Sequence, residues 1–126
     1  DGDGKMDLLV TTFEVWPTLQ QTVRIFRNNL PSTGNWIGLR FRESTADGSP
    51  IGVCVKLKTD RGIVIRQIVT GDSYRSQHAN AVHFGLGETG EVESVEIRWI
   101  SGGTKIVRRP EINRWHQVDN LVAKQE

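Results

Sequence analysis

The sequence of 126 residues has a single cysteine, Cys54, so no disulfide can form within the chain. It has no apolar run near the ~18 residues of a membrane-spanning helix, and we expect no membrane span. It also lacks an excess of one charge: 16 basic and 15 acidic side chains give a net charge of +1. Because phosphate binding needs a concentrated basic surface, we expect no nucleic-acid partner. The remaining composition, 37% hydrophobic and 25% charged, is that of a globular domain with one core.

Patterns of catalytic residues are also missing. The histidines His78, His83 and His116 lie on different segments, without a spacing that would bring two of them together on one element. Ser73 and Ser76 lack the G-x-S-x-G turn of a nucleophilic serine, and no glycine-rich phosphate loop precedes a helix. We therefore expect that the protein is not an enzyme.

Apolar and polar residues alternate along much of the chain. In the segment 36–42, Ile37, Leu39 and Phe41 alternate with one glycine and two arginines. Successive side chains of a strand point to opposite faces, so this period of two predicts a half-buried strand. The same period recurs in two further segments, 53–58 and 95–100.

Between these segments, residues 63–69 change their apolar face after Ile65, which predicts a β-bulge or a strand buried on both sides. Glycine-containing turns separate the segments at short intervals, and no apolar stripe of helical period is present. The sequence thus predicts an all-β fold, an antiparallel β-sandwich or partly open barrel of about 7–9 short strands.

The first seven residues, D-G-D-G-K-M-D, place carboxylates around glycines. Ca²⁺ binds several oxygen ligands, and Asp1, Asp3 and Asp7 could supply them in a tight loop that turns at Gly4. In the register of an EF-hand the first ligand would precede Asp1 by two positions, so we expect the loop to be truncated in this sequence. A glutamate would then be needed where Val10 stands, and a strand-like run follows instead of a helix. The segment resembles the calcium loop of FG-GAP (VCBS-type) repeats, which build the β-propellers of integrin-like proteins.

Five short motifs follow one another along the rest of the chain: R-N-N at 27–29, W-I-G-L-R at 36–40, S-Y-R-S-Q at 73–77, H-F-G-L-G at 83–87 and R-W-x-S-G at 98–102. In order and spacing, over about residues 25–107, they resemble the ASPIC/UnbV family. Ile100 stands where that family commonly has proline, a difference that affects local loop geometry only.

The resemblance implies a domain order and a location. Residues 1–12 would be the remnant of a calcium-binding repeat, 13–30 a connecting segment with an edge strand, and 31–126 the ASPIC/UnbV-like domain. The implied protein is an exported bacterial one, secreted, periplasmic or on the cell surface, with a calcium-linked β-propeller upstream. Its implied role is adhesion or protein recognition, and the resemblance implies no established reaction.

Tyr74, Arg75 and Gln77 are the candidate ligand-binding residues. An aromatic ring and planar polar groups on a long loop are typical of a recognition surface. The alternative is that Tyr74 packs on the end of the sandwich while Ser76 or Gln77 binds loop backbone groups. We expect a non-catalytic binding or adhesion module of a larger integrin-like repeat protein, with a protein or polysaccharide as partner.

Two other functions are also compatible with the sequence. A carbohydrate-binding module would stack sugars on exposed rings, for which Trp16, Trp36, Tyr74 and Trp115 are available. A structural cap of an upstream β-propeller would carry an apolar surface along residues 8–30. An unpaired N-terminal strand would also favour a dimer formed by strand exchange.

Overall fold

A computed structural model describes residues 2–31, 34–42, 49–74 and 76–120. The chain divides into two compact units, residues 1–33 and residues 34–126. The described residues form nine strands: β1 Leu8–Glu14, β2 Gln20–Phe26, β3 Asn35–Arg40, β4 Cys54–Thr59, β5 Gly62–Gln67, β6 Ala81–Gly87, β7 Ser94–Arg98, β8 Thr104–Arg108 and β9 Trp115–Gln117. A 3₁₀ turn, Val118–Asn120, follows β9. The predicted all-β fold and its number of strands are confirmed.

No helix among the described residues is long and apolar enough to cross a membrane.

Unit 1 includes both the predicted repeat remnant, residues 1–12, and the predicted connecting segment, residues 13–30. The division of the chain into a repeat remnant, a connecting segment and a family domain stays a prediction.

Unit 1 is a hairpin in which β1 and β2 pair antiparallel without a shift in register. Directly opposite residues share a face of the ribbon. The apolar side chains on one face are all more than half exposed: Leu9, Phe13, Val23 and Ile25. On the other face the hydroxyl groups of Thr12 and Thr22 form a hydrogen bond. A two-stranded ribbon on its own is at best marginally stable, because it has no further layer against which to bury such side chains.

Unit 2 is a sandwich of two sheets, with strand orders β6-β3-β9 and β5-β4-β7-β8. All pairs among the described strands are antiparallel except the parallel pair β3–β9. Inward side chains from both sheets form one buried cluster, which includes Ile37, Leu39, Val55, Leu57, Val82, Phe84, Val95, Ile97 and Val107. The alternation in 36–42, 53–58 and 95–100 therefore marks the inner faces of β3, β4 and β7, as predicted.

The outer face of the three-stranded sheet is covered by aromatic rings. Gly38 is buried although the alternation places it outward, because the ring of Trp115 lies directly on it. Trp36 stacks on His83 with ring centroids 5.3 Å apart, and Trp115 meets Trp36 edge-on at 5.7 Å. The guanidinium of Arg40 lies 4.6 Å from the centre of the Trp115 ring. These contacts fix β9 against β3.

Asn113 joins the start of β3 to the segment before β9. Its backbone N–H donates to the Trp36 carbonyl at 2.6 Å, and its Oδ1 accepts the Trp36 N–H at 3.0 Å. Its Nδ2 donates to Asn35 Oδ1 at 2.9 Å. The residue has a φ of 60°, a left-handed conformation that asparagine adopts more readily than most residues.

Strand β5 differs from the sequence prediction. It pairs with β4 without any bulge, through a turn of only two residues, Asp60 and Arg61. Instead of being buried on both sides it is exposed along its whole length. The reason is its place at one edge of the four-stranded sheet, where a strand has one neighbour.

Candidate functional site

The loop between β5 and β6 contains a tight turn at its tip. Ser76 N–H donates to the Ser73 carbonyl at 2.9 Å, and Ser76 Oγ donates to the same oxygen at 2.8 Å. Ser73 and Ser76 thereby form an isolated antiparallel bridge. We call residues 69–78 the Tyr74 loop.

Gln77 braces this loop from inside. Its Nε2 donates to the Val69 carbonyl at 3.1 Å and to the His78 carbonyl at 3.3 Å. Its Oε1 accepts the Gly71 N–H at 3.3 Å. One amide group thus ties the two sides of the loop together, and the role of Gln77 in this geometry is to position the tip. Sequence pattern could not distinguish this role from direct contact with a partner.

Tyr74 stands at the tip of the turn with 89% of its surface exposed. It does not pack on the end of the sandwich. Its φ of 50° is uncommon for a bulky side chain and costs on the order of 1 kcal/mol or more. Such strain is often found where a side chain must be held in a particular direction for function. Arg75, the third candidate, lies outside the described residues.

Asp72 and His78 lie at the base of the same loop, and the sequence patterns did not mark them as a pair. Asp72 Oδ1 lies 3.8 Å from His78 Nε2, which gives an ion pair when the histidine is protonated. Both side chains are well exposed, so the pair adds little to stability. The pair places a carboxylate and an imidazole on the two sides of the turn that carries Tyr74.

A shallow groove of about 650 Å³ begins where the Tyr74 loop ends. Asn80 lines it together with Arg40 and Arg42 of the β3 end and Gln117 of β9. Arg42 Nε lies 3.1 Å from Asp119 Oδ2, while Arg40 rests on the Trp115 ring. We call this the arginine groove. The sequence could not reveal it, because its residues come from three separate segments.

The predicted calcium ligands Asp3 and Asp7 bind backbone groups of unit 1. Asp3 Oδ1 accepts the Lys5 N–H at 2.9 Å, and Asp7 Oδ1 accepts the Asn28 N–H at 2.8 Å. This bond from Asn28, with a smaller contribution from the Arg27 charge, lowers the pKa of Asp7. Asp1 lies outside the described residues.

Within the described part of the chain, no group of three His, Cys, Asp or Glu side chains could hold a metal ion. Two carboxylates fall short of the six to eight oxygens that Ca²⁺ takes, so these residues do not form a complete site by themselves.

The rings considered for sugar stacking do not form a flat platform within unit 2. Trp36 is buried, and Trp115 meets it at an interplanar angle of 61°. Tyr74 is exposed in unit 2 and Trp16 is exposed in unit 1. The geometry gives no specific support to carbohydrate binding.

These features describe a β-sandwich with a strained aromatic loop and, after the end of that loop, a groove lined by two arginines. The chain belongs to the family described as ASPIC and UnbV, which it matches over residues 43–125, well over half of its length. The match begins and ends later than the 25–107 expected from motifs, so R-N-N and W-I-G-L-R precede it. A comparison with curated proteins gave no match.

Proposed function

We propose that this chain is a non-catalytic binding module that recognises a macromolecular partner through the Tyr74 loop. The observation that carries the proposal is the display of Tyr74, 89% exposed and held in a strained backbone conformation by a braced turn. Solvent exposure of a large ring has no benefit for folding, whereas tyrosine is among the residues that contribute most to binding interfaces. A role of Tyr74 in binding would account for its strained backbone conformation.

The arginine groove extends this surface. Arg40, which lies on the neutral Trp115 ring, presents a guanidinium that has no acidic partner among the described residues, and such a group suits a carboxylate because several N–H donors lie in one plane. Arg42 binds Asp119 through Nε, and a guanidinium has further N–H donors beyond that one. Asn80 and Gln117 add amide groups that both donate and accept hydrogen bonds. A protein segment with an acidic residue near an apolar contact for Tyr74 is the partner that fits this chemistry.

The proposal includes an extracytoplasmic location in a larger exported protein of the integrin-like repeat type. Support comes from the resemblance of residues 1–10 to an FG-GAP loop. Further support comes from the hairpin of unit 1, whose exposed apolar face would be covered by adjoining strands of a propeller blade. Calcium would then bind where further oxygen ligands join Asp3 and Asp7.

The test is binding of the purified chain to a panel of purified extracellular-matrix proteins and polysaccharides, measured by biolayer interferometry. We expect a protein probe to bind and Tyr74→Ala to weaken its binding at least tenfold, as at an interface hot spot. The control is Trp16→Ala, which removes another exposed aromatic ring, 83% exposed, and should leave affinity unchanged. Binding that survives Tyr74→Ala but is lost in Trp16→Ala would contradict the proposal, as would a panel without any binder.

A further inference from the structure

Strand β5 has one edge that no described strand covers. In the order β5-β4-β7-β8 it pairs with β4 on one side only. Its central residues Ile63, Val64 and Ile65 are 52%, 42% and 57% exposed. Apolar residues on both faces of an open edge favour pairing with another strand.

The backbone groups of this edge can be assigned from the register. Ile68 N–H donates to the Val53 carbonyl, so every second residue before Ile68 also bonds towards β4. The N–H and C=O groups of the residues between, Ile63, Ile65 and Gln67, therefore point away from the sheet. They form the row of donors and acceptors that an incoming strand requires.

The opposite edge of the same sheet is protected. Strand β8 carries Lys105, whose Nζ donates to the Val118 carbonyl at 2.7 Å, so the turn after β9 lies beside this strand. Arg108 adds a second charge, and charged side chains discourage edge pairing. In β5 the one charged residue is Arg66, whose guanidinium lies 5.9 Å from the centre of the Phe84 ring. Its NH1 also reaches the Ile65 carbonyl at 3.3 Å, which leaves that oxygen a second lone pair.

We propose that β5 pairs antiparallel with β5 of a second copy of this chain, with Val64 opposite the partner's Val64. This register places Ile63 opposite the partner's Ile65, and those are residues whose backbone groups point outward. Apolar side chains then meet on both faces of the joined sheet, which stabilises a cross-strand pair. A two-fold dimer needs one surface that is complementary to itself, and this register meets that condition.

The charges beside the edge favour a second copy over an acidic peptide. Lys56 and Lys58 of β4 lie on the same face as the two isoleucines. Their Nζ atoms are already 3.9 Å from Glu96 and 2.6 Å from Glu93. These lysines therefore offer no unbalanced charge to an acidic strand, and the apolar pairs dominate recognition.

Pairing of two six-residue strands buries a small interface, so the dimer should be weak and concentration-dependent. Sedimentation equilibrium of the full chain from micromolar to millimolar concentration should show a mass rising from 14.2 kDa towards twice that value. Ile63→Lys should weaken the association at least tenfold. The matched control is Ile106→Lys, which adds the same charge at a 60% exposed isoleucine on β8 and should dimerise like the wild type.

A cross-link gives a second test that does not depend on the folding of the lysine variant. In the proposed dimer the two Val64 residues form a non-hydrogen-bonded pair. The Cα atoms of such a pair are about 4.5 Å apart, within the range of roughly 4.4–6.8 Å for disulfides. In a Cys54→Ala background, Val64→Cys should form a disulfide-linked dimer on mild oxidation, and Ile106→Cys should not. A monomer at all concentrations would overturn the proposal. So would a dimer that persists in Ile63→Lys, as strand exchange of β1 would produce.

Discussion

Replacing Gly38 with alanine tests whether the Trp115 ring is held by close contact with the backbone of β3. A Cβ atom at position 38 would overlap the ring carbons of Trp115, so either the ring or strand β9 must move. The ring cannot shift without disturbing its edge contact with Trp36 and the cation–π contact with Arg40. The effect is therefore larger than the added methyl group alone would suggest.

The magnitude follows from those contacts. Forcing extra volume into a packed site costs about 1–3 kcal/mol. The cation–π contact contributes about 0.5–1 kcal/mol and an aromatic pair about 0.5–1.5 kcal/mol. We expect Gly38→Ala to lower the free energy of unfolding by about 2–3 kcal/mol. For a domain of this length the melting temperature then falls by on the order of 10 °C.

The assay is thermal and urea unfolding followed by circular dichroism. The control is Gly85→Ala, which adds the same methyl group on β6 opposite Trp36, where the new Cβ meets no atom within 4 Å. This variant should be unchanged or stabilised by up to about 1 kcal/mol, because alanine restricts the unfolded chain. In a Trp115→Leu background the cost of Gly38→Ala should shrink. Equal effects of the two alanine variants, or an undiminished cost in that background, would refute the reasoning.

Three further predictions concern other parts of the molecule. Tyr74→Asn should raise the free energy of unfolding by up to about 1 kcal/mol in urea unfolding, because asparagine tolerates a positive φ, and a marked destabilisation would argue against strain at this position. Gln77→Ala should accelerate hydrogen exchange of the Gly71 amide several-fold, since its acceptor is lost, whereas an unchanged rate would show that Gln77 does not brace the loop. The pKa of Asp7 is lowered, so its contribution to stability is present above the ordinary value of 3.8 and is lost as the pH falls through the lower folded-state pKa. The Asn28 amide resonance should report this with an NMR titration midpoint below 3.8, and a midpoint at or above it would contradict the bond between them.

The inner faces of the sandwich could be predicted from the sequence because a half-buried strand has a local signature. Ile37 and Leu39 are fully buried, as their alternation indicates. The exposure of β5 could not be predicted in this way, because a run of isoleucine and valine is the same in a central strand and at an edge. Sheet order depends on which distant segments pair, and no local pattern carries that information.

For the candidate site, the sequence indicated a long loop that carries Tyr74 but left open whether its ring packs on the sandwich or is exposed. The structure places Tyr74 at the tip of that loop, with its side chain exposed. The hydrogen bonds of Gln77 reach the Val69 carbonyl and the Gly71 N–H, groups whose direction depends on how the loop folds back. The burial of Gly38 has the same kind of cause, since the ring that covers it belongs to β9, a strand far along the chain.

The parallel pair β3–β9 also affects when the three-stranded sheet can form as the chain folds. Trp36 and Asn113, which join the two segments, are 77 positions apart in the chain. Contacts of such long sequence separation form slowly, because a large loop must close before they contribute stability. During synthesis β3 emerges well before Asn113 and Trp115. The three-stranded sheet can therefore be completed only after β9 has emerged, and a chain shortened before Arg114 would leave the stack of Trp36 on His83 open to water.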